Sequence, residues 1–147
     1  MTALPYLILV VVLRLCLIIS IKITSSIFNM LVWISQAFID ICKKKYSNIS
    51  FFNIDILQPN ISLPSFDYII MNGVFTEKID LTFEQMFVYF CSMIEKIYPY
   101  CKQAMAFNLR SKQVELEDAK LFHLSLDELA SWFLTNKFGR CFRIRND

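Results

Sequence analysis

Hydrophobic and polar residues follow two different styles along this chain. From Tyr6 to Ile19 the sequence YLILVVVLRLCLII is apolar except for Arg14. From Ser35 onward, short apolar runs alternate with stretches at helical spacing. SQAFIDICKKKY predicts a helix with Ser35 as N-cap, and with Phe38, Ile41, Cys42 and the methylene stem of Lys45 along one face. ISFFNIDIL reads as a short β-type run ending near Asp55, and QPNISLPS as a loop rich in proline, hydroxyl and amide residues. FDYIIM then predicts a strand with both faces covered, ended by Asn72-Gly73.

A second helix begins at a T-x-x-Q capping box, Thr82 and Gln85. Phe83, Met86, Phe87, Phe90, Cys91, Ile94 and Ile97 fall on one stripe, and Pro99 stops it. AMAFNL, Ala104 to Leu109, predicts the next strand. Ser125 and Glu128 form another capping box, opening a helix striped by Leu126, Leu129, Ala130 and Phe133 and terminated by Gly139. RCFRIR reads as a last strand that the chain end cuts short. Strands alternating with helices imply βαβ units and a mostly parallel sheet. Such sheets bind ligands outside the carboxyl ends of their strands. Asp55, Asn72 and Asn108 each stand at such an end, which points to a shared crevice.

Composition narrows the function classes. The 147 residues make one domain, and 56% are hydrophobic. The net charge is +2, and Lys43–Lys45 is the only basic run, so nothing speaks for nucleic acid. The five cysteines show no CxxC pairing and read as reduced core residues. His123, the single histidine, sits in LFHL and reads as structural, so no metal site is expected.

The apolar start is a poor membrane anchor or signal. A span needs about 20 apolar residues. Across residues 4–21, Arg14 falls mid-run at about 2.5–3.5 kcal/mol, no basic residue precedes the run, and no clear small-x-small cleavage site follows it. Sequons at Asn48 and Asn60 matter only in a secreted chain. A cytoplasmic location is expected, with membrane anchoring through residues 4–21 as the alternative.

FDYIIMNGVFTEK, the helix EQMFVYFCSMIEKIY and the strand AMAFNLRSK together resemble class I S-adenosylmethionine-dependent methyltransferases. The ordered set SQAFIDICKKKY, FFNIDIL, FDYIIMNGVF, AFNLRSK and RCFRIRND carries the resemblance, from about Ser35 to Asn146. It implies a Rossmann-like, mostly parallel sheet and transfer of a methyl group from the sulfonium of S-adenosylmethionine to an acceptor the sequence does not identify. It carries Asp55 to the adenine amino group and Ile56 to the adenine ring, and sets Asn72 and Gly73 beside the methionine part of the cofactor. Phe75 and Asn108 would line the substrate side. No general base stands out.

The chain departs from that family at both ends. The family's first strand leads into a G-x-G loop, where missing side chains let the backbone approach the cofactor. An acid ending its second strand holds the ribose. Here no glycine precedes Gly73, and VWIS stands where that acid is expected. The chain also ends at RND, before the family's closing hairpin strand. The sheet is therefore expected to be incomplete at both ends, and cofactor binding to be defective.

A shifted reading frame is the expected origin of the first departure. Asp-Leu-Gly-Cys-Gly-Ser, written GAT CTT GGT TGT GGT TCT G, becomes ATC TTG GTT GTG GTT CTG when read one base later. That spells Ile-Leu-Val-Val-Val-Leu, the string Ile8–Leu13. Tyr-Val-Gly-Met-Asp-Ile, as TAT GTT GGT ATG GAT ATC, shifts to ATG TTG GTA TGG ATA TC, which spells Met30–Ile34 and opens a serine codon. Both fits fall in the family's order. The organisation expected is a hydrophobic segment over 1–34, a frameshifted first strand or an anchor, followed by a partial methyltransferase-like domain over 35–147. A small membrane-anchored or secreted α/β binding protein without activity is the alternative.

Overall fold

The computed structural model describes residues 7–12, 29–33, 40, 43–44, 54–136 and 138. Five strands form one sheet: β1 (Leu7–Val12), β2 (Asn29–Trp33), β3 (Phe66–Phe75), β4 (Cys101–Ser111) and β5 (His123–Leu124). Their order is β2-β1-β3-β4-β5, and every neighbouring pair is parallel. Among the described residues two helices are complete, α1 (Phe83–Ile97) and α2 (Leu126–Thr135). The architecture is α/β.

The apolar start supplies the interior of this sheet. β1 pairs with β2 on one side, Ile8 opposite Met30, and with β3 on the other, Ile8 opposite Tyr68. A continuous Leu/Ile/Val run suits such a strand, because branched side chains fit the pleated surface. Among the described residues no helix is long and apolar enough to cross a membrane.

The core lies on one face of β3 and β4. Ile69 and Met71 of β3 have no exposed surface, whereas their neighbours Tyr68, Ile70 and Asn72 are half-buried. β4 alternates likewise: Ala104, Ala106, Asn108 and Arg110 are exposed, while Met105, Phe107 and Leu109 pack on the core. Against that face α1 lays Met86, Phe90, Met93, Ile94 and Ile97, all buried. Phe90 is the hub, edge-on to Phe75 at 5.0 Å and Phe107 at 5.6 Å, and tilted on Trp132 at 5.5 Å.

Both predicted capping boxes are present. Thr82 Oγ1 accepts from Gln85 N–H at 3.2 Å while Gln85 Oε1 accepts from Thr82 N–H at 2.9 Å. Ser125 and Glu128 make the same exchange at 3.1 and 3.4 Å. The stripe expected on α1 holds and gains Met93, at helical spacing from Met86 and Phe90. Pro99 lies in the single 3₁₀ turn, Tyr98–Tyr100, that follows the helix.

Three local expectations are corrected. Asn72-Gly73 does not end β3: the strand runs on to Phe75, and the glycine, at φ +72°, sits where the register with β4 shifts between Met71 and Phe75. A left-handed residue inside a strand is a bulge, which bends the ladder without ending it. β4 exceeds its apolar centre at both ends, because exposed edge positions tolerate Lys102, Gln103 and Arg110. Ile54 and Asp55 are not in a strand, and Ile56–Leu57 form a turn. Residues 51–53, most of the 35–46 helix, Gly139 and RCFRIR lie outside the described residues; Asp40, Lys43 and Lys44 are helical.

Candidate functional site

The strand order sets the location. From β1 the chain steps to β2 on one side and later to β3 on the other, so the order reverses between β1 and β3. In open parallel sheets that switch point opens a crevice at the carboxyl ends of the two strands. At its mouth Val12, the last residue of β1, stands in register with Asn72. Gly73 follows immediately.

The Gly73 peptide is held on both sides. Its N–H donates to Asn108 Oδ1 at 2.8 Å, and its carbonyl accepts from Thr76 Oγ1 at 3.3 Å. Among the described residues a Cβ at Gly73 would meet nothing within 4 Å, so it is the φ of +72° that calls for glycine here. With Oδ1 engaged, the exposed Asn108 side chain keeps both amide N–H groups for another acceptor. Asn72, Gly73 and Asn108, expected separately at strand ends, are thus one structural unit.

The other expected residues are placed differently. Asp55 is exposed, and its Oδ1 accepts from Leu57 N–H at 3.0 Å, an Asx turn. Ile56, expected against a ring, is 3% exposed and belongs to the core. Phe75, expected on the substrate side, has no exposed surface; its ring meets Tyr89, Phe90 and Phe107 edge-on. Both packings follow from the bulge and the turn, which direct these apolar side chains inward.

Two features of this end escaped the sequence. Tyr89 of α1 is half-buried against Phe75, 6.1 Å between ring centroids. Burial, and then the nearby Asp55 carboxylate, push its hydroxyl above the ordinary value of 10.0. Tyr89 lies off the apolar stripe, and no local pattern marks it. His123 is 6% exposed, with Nδ1 2.8 Å from the Ser111 carbonyl oxygen and Nε2 buried without a partner. Its tie to Ser111 depends on a two-residue strand too short to read from periodicity.

Elsewhere the chemistry is quiet. Burial, then the Glu95 carboxylate, push the Cys91 thiol up to about 11, and burial raises Cys101. Neither is an activated nucleophile. Among the described residues no group of three or more His, Cys, Asp or Glu is placed to hold a metal ion. An open groove of about 550 Å³ runs between α1 and α2, lined by Phe87, Asp127, Glu128, Trp132 and neighbours, and touches none of the expected site residues.

Compared with known proteins, the chain matches no protein-family model and no curated sequence at a significant level.

Proposed function

We propose that this chain is an S-adenosylmethionine-dependent methyltransferase-like protein whose cofactor crevice lies between β1 and β3 and is incomplete. The observation that carries the reading is the unit at the switch point, Asn72-Gly73 pinned to Asn108 beside the end of β1. It supports a ligand crevice where the resemblance sets the methionine part of the cofactor. When bound, that cofactor supplies an electrophilic methyl group, and the protein's contribution is to orient an acceptor in line with it.

The residues present fit the cofactor only in part. Among the described residues nothing fills the space beside Gly73 and nothing accepts from the Asn108 amide. β1, however, continues as a strand through Val12, where the family's chain has already turned into a glycine loop of bare backbone. Ile56 and Phe75 are committed to the core. The out-of-frame origin of residues 8–13 fits this arrangement, since glycine codons read as valine make a sound strand and an unusable loop.

The alternative, an anchored or secreted binding protein, is disfavoured because residues 7–12 of its anchor are an interior strand. Calorimetric titration of S-adenosylmethionine into the full chain tests the reading. No heat of binding at millimolar cofactor is expected. Saturable binding would mean that the valines of β1 do not close the crevice.

A further inference from the structure

The face of the sheet opposite the core carries a second polar cluster, at the carboxyl ends of β4 and β5. Arg110 is in register with His123, and Ser111 with Leu124. Leu124 and Phe122 are buried in the core, so alternation sends the His123 side chain to the other face, shared with Asn108 and Arg110. Arg110 is exposed and makes no ion pair among the described residues.

The histidine is held in one tautomer. The Ser111 carbonyl can only accept, so the proton of the neutral ring sits on Nδ1 and Nε2 is left as an acceptor. That acceptor is shielded from solvent and has no donor among the described residues. Buried polar atoms are nearly always paired, so an orphan acceptor on the strand position in register with Arg110, which makes no ion pair among the described residues, calls for an occupant that supplies a donor. Neighbouring strands lie about 4.8 Å apart, which sets the two residues side by side on one face of the sheet.

We propose that the carboxyl ends of β4 and β5 form a subsite for a small hydroxy acid. Its carboxylate pairs with the Arg110 guanidinium, a planar fork suited to carboxylates. Its hydroxyl donates to Nε2 of His123, entering past the Arg110 side chain. The subsite stands without the cofactor reading; within that reading its occupant is the methyl acceptor.

His123 is the single histidine, so one imidazole signal set reports the site. The full chain, labelled with ¹⁵N and without cofactor, is titrated with glycolate and separately with acetate, which has the carboxylate and lacks the hydroxyl. Glycolate is expected to move the Nε2 resonance saturably toward its hydrogen-bonded position, and acetate to leave it in place. Arg110→Gln, an exposed substitution, is expected to raise the half-saturating glycolate concentration about tenfold, the loss of one charge-assisted contact. The proposal is overturned by an Nε2–H tautomer, by no saturable shift, by an equal shift with acetate, or by unchanged half-saturation in Arg110→Gln. Cofactor titration is a separate measurement, so failure here leaves the methyltransferase reading where it stood.

Discussion

Asn108 Oδ1 accepts the backbone N–H of Gly73 at 2.8 Å, joining two strands across 35 residues of sequence. The bond closes the bulge in β3 and fixes the backbone that faces the switch point. Replacing Asn108 with alanine removes one exposed hydrogen bond, expected to destabilise by about 0.5–1.5 kcal/mol in urea unfolding. Asn108→Asp, which keeps an acceptor, should lose less. Equal losses in the two variants would show that the acceptor oxygen is not what holds Gly73.

Gly73 and Ile79 make opposite predictions from the same conformation. Gly73→Ala meets no neighbour, so its effect is backbone strain alone, about 1–2 kcal/mol of destabilisation. Ile79 lies at φ 56° in a turn closed by Leu81 N–H to Lys78 C=O at 2.9 Å, and its side chain is 68% exposed. A positive φ there favours glycine or asparagine over a β-branched residue. Ile79→Gly is expected to leave stability unchanged or raise it by up to about 1 kcal/mol. A loss above that size would show that Ile79 has a packing role its exposure does not reveal.

The centre of the core is aromatic. Phe90 has no exposed surface and touches Phe75, Phe87, Phe107 and Trp132, so Phe90→Leu is expected to destabilise substantially and Phe90→Ala by about 3–5 kcal/mol. Chemical unfolding followed by Trp132 fluorescence measures both. A Phe90→Ala chain within about 1 kcal/mol of the parent would mean that the packing around this ring is not formed.

Glu128 and Cys91 contribute pH dependence at opposite ends of the scale. The hydrogen bond from Ser125, then Lys112, hold the Glu128 carboxyl below its ordinary 4.5, so its contribution to α2 is present above that value and lost as pH falls through the lower folded value. Ser125→Ala should remove about 1 kcal/mol and most of that acid dependence. Cys91 is raised from 9.0 to about 11, so unfolded chains release its proton first and stability declines as pH climbs across that interval. Alkylation of Cys91 in the folded chain should accordingly lag behind that of a free thiol at pH 9. Equal rates would mean that the thiol is not buried.

The sequence made the fold's local grammar legible and its geometry only partly so. Capping boxes, helical stripes and Pro99 are local rules: α1 and α2 begin at their boxes and α1 stops at Pro99, whereas α2 ends at Thr135, short of Gly139. The parallel order followed from alternation, but the bulge at Gly73 did not, because a glycine that ends a strand and one that kinks it look the same in one dimension. Asn72 and Asn108 were legible as strand-end residues; their union through Gly73 depends on register. Ile56 and Phe75 were set at the site by resemblance, and their burial reflects how the turn at Asp55 and the bulge direct them. His123 could not be paired with Arg110 from a two-residue strand.

The gene makes its own prediction. Across the codons for residues 1–34, the neighbouring frame should spell a glycine pair within Ile8–Leu13 and an acid before Ser35. If no frame does, the valines of β1 are genuine and the crevice was never a glycine loop in this chain.

The most direct measurement is a calorimetric titration of S-adenosylmethionine into two chains, one as it stands and one with residues 1–34 translated in the neighbouring frame. The account predicts saturable binding by the restored chain and none by the other. Absence of binding in a restored chain that folds would contradict it, and the crevice at Gly73 would belong to another ligand.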